Sequence, residues 1–306
     1  MLNNKKFRIF LSIVIAIALW VYVVGTMDPS NEKTYASIPI EVVGEEKLDE
    51  IGLAISNVNL NTIDIEVEAR NSIISNLDDK DFTAVIDVSQ AHKGVNEVKI
   101  KVKAPDGVSL KNQSSATCKV TVETQIKDAK KIELSIPEDL SDDQEIELVS
   151  KELDSVYVTG SVSKMEEIDH IAAIIDMDNL QEGENKLVAI LKPVDRNSYE
   201  LDRLVLDNTK ISLNVNLYQV KQVKLDFESI GQGKGRDGLI RSVTVPKSIL
   251  VMGLSKDLEG IDSVKAESLT ISDIKSDKDI ELKLDLPEGV KLSKKQEKVV
   301  AKVIVK

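Results

Sequence analysis

The sequence predicts a mainly β protein: an N-terminal transmembrane helix followed by three tandem β-rich repeats, each with one short helix, in an elongated array. Three observations predict it. Residues 9–27 carry no charge, later segments alternate apolar and polar residues with period two, and two unrelated motifs recur at nearly the same interval.

The first element runs from Ile9 to Met27 and reads IFLSIVIAIALWVYVVGTM. As a helix rising about 1.5 Å per residue it spans roughly 28 Å, close to the hydrocarbon thickness of about 30 Å. Lys5, Lys6 and Arg8 precede it, whereas Asp28 and Glu32 follow. An excess of Lys and Arg keeps its side in the cytosol, so residues 1–8 are expected inside and the rest of the chain outside the membrane. Trp20 and Tyr22 fall near the outer end, where amphipathic rings favour the interface. A cleaved signal peptide is the competing reading, with Val23-Val24-Gly25 before the cut. Against it, the apolar run continues into bulky Trp20 and Tyr22 without a polar approach. A buried core helix is a third reading, disfavoured by hydrophobicity on every face.

Within this segment Ser12 and Ala16 stand four residues apart, on one helical face. Such a small-xxx-small pair lets a partner helix approach closely. The alternative is an anchor that only tethers, with the repeats binding the partner's external loops.

Beyond Met27 the text repeats. Ala104-Pro-Asp-Gly-Val-Ser-Leu110 returns as Leu286-Pro-Glu-Gly-Val-Lys-Leu292, with the prolines 182 residues apart, or two periods of 91, and Pro193 in the intermediate place. Independently, Gly160-Ser-Val-Ser-Lys-Met-Glu-Glu-Ile-Asp169 matches Gly253-Leu-Ser-Lys-Asp-Leu-Glu-Gly-Ile-Asp262 at an offset of 93, and Ala69 to Leu77 is a weaker first copy. These motifs divide the chain into repeats at 36–124, 130–217 and 221–306. Alternation marks half-buried strands at 63–68, 98–103, 211–217, 280–285 and 299–305, with Pro-Asp-Gly and Pro-Glu-Gly turns among the breaks. Ser163 with Glu166 fits a capping box, and Met165, Ile168 and Ile171 would then share a helical face.

Composition removes several function classes. A net charge of -12 argues against nucleic acid, whose phosphates would be repelled. Cys118 is the one cysteine, so stability comes from core size and not from an intramolecular disulfide, and a small buried residue is the expected role. His92 and His170 lack metal-ligand spacing, and neither a Gly-x-Ser-x-Gly elbow nor a His-Glu-x-x-His motif occurs. Gly231 to Gly238 lacks the Gly-Lys-Ser/Thr ending of a phosphate loop and is expected to be an inter-strand loop. The acidic runs at 78–81 and 176–178 are expected to be turns, since neither carries the pattern of a calcium loop. No catalytic residue, metal or cofactor is expected.

The chain resembles the YbbR-domain family of membrane-anchored bacterial surface proteins. The likeness rests on the basic start, the apolar segment ending in Leu19-Trp-Val-Tyr-Val-Val24, and the Ile38-Pro39-Ile40 strand opener. It rests also on Val156-Tyr-Val-Thr-Gly160, the Ile-Asp before the next strand, and the Pro-x-Gly-Val turn. It implies a non-enzymatic regulator acting on the membrane diadenylate cyclase CdaA, and so on cyclic di-AMP. A structural or adhesive cell-surface repeat protein is the alternative, because β repeats without chemistry serve equally as spacers. An envelope enzyme with an unfamiliar site comes third.

Overall fold

A computed structural model of the chain describes residues 5–26, 28–136, 139–177, 180–235, 237–296 and 298–306. The side chains of Lys5, Lys6 and residues 24–26 fall outside that description, as do Asn3, Met27, Asp178 and Arg236. The protein is mainly β: twenty-three strands accompany five α-helices among the described residues. Two compact units form. Unit 1 takes the chain up to Asp128 with Val158–Ile168 and Leu201–Val205, and unit 2 takes Ala129–Tyr157, Asp169–Glu200 and Leu206–Lys306.

Unit 1 begins with α1 (Lys5–Thr26) and β1 (Ser30–Val43), followed by α2 (Glu45–Glu50), β2 (Leu53–Val58), β3 (Thr62–Arg70) and α3 (Asn71–Ile74). It continues through β4 (Thr83–Asp87), β5 (Gly94–Lys103), β6 (Val108–Gln113) and the first part of β7 (Thr117–Ser135). Strand β1 changes partner along its length. Ser30 to Pro39 pairs antiparallel with β3, and Ile40 to Val43 pairs parallel with β4. The change follows a break at Ser37, which adopts φ 58 and donates its N–H to Oδ1 of Asp64 at 2.9 Å. Alternation puts Ile63, Ile65, Val67, Ile86, Val120 and Val122 in the core, where a fully buried side chain of this kind contributes about 1.5–3 kcal/mol. Tyr35 packs on Phe82 with ring centroids 4.6 Å apart, and its hydroxyl reaches the Leu77 carbonyl at 3.3 Å.

Downstream lie β8 (Gln144–Lys151), β9 (Ser155–Ser161), α4 (Val162–Glu167), β10 (His170–Ile174), β11 (Gly183–Val194), β12 (Val205–Leu206) and β13 (Lys210–Asp226). They are followed by β14 (Ser229–Ile230), β15 (Gly233–Lys234), β16 (Ile240–Thr244), β17 (Ser248–Gly253), α5 (Ser255–Leu258), β18 (Ser263–Ala266) and five further short strands. In unit 2 the last part of β7 pairs parallel with β10, and the last part of β13 pairs parallel with β18. The β1 to β4 pairing of unit 1 has the same sense, so each predicted repeat holds such a parallel step among the described residues. The terminal strand of one predicted repeat and the opening strand of the next are continuous, in β7 and again in β13.

Two local expectations change. Ser161, not Ser163, is the N-cap of α4, its hydroxyl accepting the Lys164 N–H, and it is fully buried. Met165 lies in α4, but Ile168 ends the helix and Ile171 belongs to β10, so the three buried side chains do not share one helical face. Pro193 sits inside β11 opposite Ile171 and forms no turn. By contrast, Pro105 and Pro287 each open a turn closed by Val108 and Val290, at 3.2 and 3.1 Å. The first copy also carries an extra helix, α2, besides its short α3.

Candidate functional site: the amino-terminal helix

Between Phe7 and Val23 the α1 side chains that the structure describes are exposed on every face. Ile9, Phe10, Ile13, Ile17, Trp20 and Tyr22 are between 53% and 67% exposed. Uniform apolar exposure of this kind is unusual for a surface helix, which normally turns one stripe inward. Ser12 and Ala16 stand together, lining a shallow groove with Arg8, Ile9 and Ile13. The Ser12 hydroxyl donates to the Arg8 carbonyl at 2.8 Å, four residues back, so its polar hydrogen is satisfied within the helix. What remains outward is a small surface flanked by larger apolar side chains. Trp20 and Tyr22 follow toward the C-terminal end of the helix, and the side chains of Lys5 and Lys6 lie outside the described set. Among the described residues no helix is long and apolar enough to cross a membrane.

A second concavity lies in unit 1, with a volume of 140 Å³, beside Glu45, Asp49, Gln125, Gly160, Arg203 and Leu204. Burial pushes the Glu45 carboxyl up, although the Arg203 guanidinium lies 3.6 Å from it. Gln125 donates to Asp49 at 2.7 Å. A Cβ at Gly160 would meet the end of the Leu204 side chain, which would have to turn aside to admit it.

The other residues singled out in the sequence occupy separate places. Cys118 is buried, with Sγ 3.3 Å from Oδ1 of Asn59. His92 is exposed, and Nδ1 of the half-buried His170 lies 2.9 Å from the Asp169 carboxylate. Asp78 to Asp81 forms a 3-10 turn in which the Asp81 carboxylate accepts the Asp78 N–H at 2.8 Å. Within Gly231 to Gly238, expected to be an inter-strand loop, Gly233 and Lys234 form β15 and pair with β16, and Asp237 pairs with the buried Arg241. Among the described residues no group of three or more His, Cys, Asp or Glu could hold a metal ion.

Sequence reading missed a polar lock seen twice. Asn96 and Asn185 are each 8% exposed. Each accepts the N–H of the residue four positions earlier, and each donates to two nearby carbonyls. The recurring Gly-x-Asn at 94–96 and 183–185 was the available signal.

Residues 38–122 match the family described as YbbR-like protein. The chain is 23% identical over 309 residues to the CdaA regulatory protein CdaR of Bacillus subtilis (strain 168), covering 95% of this chain. It spans 62% of the length of that relative. A YbbR-like protein from Streptococcus pneumoniae TIGR4 is similar with a TM-score of 0.48 and 19% identity, covering 63% of this chain and 97% of that one. A YbbR-like domain from Listeria monocytogenes has a TM-score of 0.27 and 26% identity, covering 31% and 94%. The likeness read from motifs along the whole chain is matched by the family model over 38–122.

Proposed function

For a chain whose residues 38–122 match the family described as YbbR-like protein, we propose the role of a membrane-anchored extracytoplasmic regulator. In this reading α1 anchors the chain as a single pass, the amino terminus is cytosolic, and the β-rich remainder is outside. The partner is a membrane diadenylate cyclase of the CdaA kind, and the effect is on cyclic di-AMP synthesis, with no catalysis by this chain. The observation that carries the proposal is a helix apolar on every exposed face, followed by residues that match a YbbR-like family model. Similarity to a protein named as a CdaA regulator supports the choice of partner.

The uncharged stretch 9–27 supplies the length of the anchor, with Lys5, Lys6 and Arg8 setting its direction and Trp20 and Tyr22 at the outer interface. The Ser12 and Ala16 face is the place where a neighbouring helix packs, since the Ser12 hydroxyl is already bonded to its own helix. The repeats at 36–124, 130–217 and 221–306 are the exported modules.

Substituting Ser12→Leu and Ala16→Leu together keeps the helix hydrophobic while adding volume at the contact. Cyclic di-AMP in cells carrying this variant is expected to move toward the level of cells lacking the protein. A normal level in the double variant, and in a chain with an unrelated membrane helix, would exclude packing through α1. A level insensitive to complete loss of the protein would exclude the regulatory role itself.

A further inference from the structure

Three short helices, α3, α4 and α5, occupy corresponding places in the repeating text, and each carries a serine near its start: Ser72, Ser163 and Ser255. In every case a carboxylate from elsewhere in the chain takes both the backbone N–H and the hydroxyl of that serine. Asp28 accepts the Ser72 N–H at 2.9 Å and also its hydroxyl. Glu123 accepts the Ser163 N–H at 2.9 Å and its hydroxyl at 2.7 Å. Glu182 accepts the Ser255 N–H and, at 2.7 Å, its hydroxyl. The serine hydroxyls, together with the backbone N–H groups, hold all three carboxyls below the usual carboxylate range.

The three acids do not correspond to one another in the repeat. Asp28 follows α1, Glu123 lies in β7, and Glu182 lies just before β11. They stand 44, 40 and 73 residues from their serines. A cap needed only to finish a helix would be supplied locally, as Ser161 does for α4 by accepting from Lys164. Here a local cap is present in α4 and the distant carboxylate is added to it. Charge-assisted, two-point contacts of this kind fix geometry as well as adding energy.

We propose that Asp28–Ser72, Glu123–Ser163 and Glu182–Ser255 are latches, each fixing the orientation of a repeat helix against the preceding segment. The latch is a conformational device independent of which partner the chain binds. Its strength lies in both donors converging on one carboxylate, so loss of either the acid or the hydroxyl weakens it.

The Glu123–Ser163 latch lies wholly within unit 1 and is the one to test in the full chain. Spin labels at the exposed positions Lys101 and Glu166, introduced by Lys101→Cys and Glu166→Cys, report the placement of α4 against β5, while buried Cys118 stays unlabelled. Glu123→Gln and Ser163→Ala are each expected to broaden the distance distribution. Glu123→Gln, which removes the charge that the residue 163 N–H meets, is also expected to accelerate amide exchange there by roughly tenfold or more, the factor implied by loss of a charge-assisted hydrogen bond. Ser163→Thr keeps both donors and is expected to retain the narrow distribution, which separates the latch from a general folding defect. Faster exchange with an unchanged distribution would reduce the contact to a local cap and overturn the proposal. Equal broadening in Ser163→Thr and Ser163→Ala would overturn it too.

Discussion

The Ser293 hydroxyl donates to Oε2 of Glu145 at 2.6 Å across 148 residues of sequence. The Lys294 N–H donates to the other carboxylate oxygen at 3.0 Å. Glu145 is 4% exposed and Ser293 1%, so neither can turn to water if its partner is lost. Glu145→Ala is therefore expected to lower stability by about 1–3 kcal/mol, the cost of leaving buried donors unpaired. A urea titration should show a lower midpoint at unchanged slope. A cycle with Ser293→Ala should give coupled, not additive, losses. Additive losses would mean that the two side chains do not act together.

Gly44 and Gly52 both have positive φ, at 87° and 70°, but only Gly44 is crowded. A Cβ there would stand 2.8 Å from the Ser89 backbone nitrogen, whereas at Gly52 nothing lies within 4 Å. Gly52→Ala should cost about 1–2 kcal/mol from the left-handed backbone alone. Gly44→Ala should cost clearly more. Equal thermal midpoints for the two variants would contradict the packing described at Ser89.

The Arg241 guanidinium holds the Asp237 carboxyl down at about 2, and its Nε–H donates to the Ile274 carbonyl at 2.6 Å. Because the folded value is depressed, the pair's contribution is complete above the unfolded aspartate value of about 3.9. It is lost as pH falls from there through the folded value. Asp237→Asn should thus be less stable than the parent at neutral pH. The gap should narrow between about pH 4 and about pH 2. A gap constant across that range would show that the charge is not responsible.

Orientation in the membrane is testable chemically. A cysteine replacing exposed Lys101 should react with an impermeant reagent added to intact cells, and one replacing Asn3 should not. The opposite pattern would reverse the charge argument built on Lys5, Lys6 and Arg8.

Much of the β architecture was legible because alternation has a direct physical cause. Ile63, Ile65 and Val67 are buried and the residues between them are more open, as a half-buried strand requires. The Pro105 and Pro287 turns were legible for a similar reason, since proline and a glycine with positive φ specify the turn locally. Pro193, at the intermediate place in the repeat spacing, lies instead inside β11 opposite Ile171. The capping residue of α4 was misplaced by two positions, a small error in sequence that moved Ser163 from a local cap to a partner of Glu123. The acids that meet Ser72, Ser163 and Ser255 could not be read from spacing, since their separations differ and only the folded chain brings them together. On α1 the sequence placed Ser12 and Ala16 on one face, but not the bond from Ser12 to the Arg8 carbonyl.

The most direct measurement is photo-crosslinking in living cells from Ile13, which borders the Ser12 and Ala16 groove, followed by mass spectrometry of the captured proteins. A parallel probe at exposed Tyr199 reports the β-rich region. Capture of a membrane diadenylate cyclase from Ile13 is the expected result. Absence of the cyclase from the products of both probes would contradict the regulatory role.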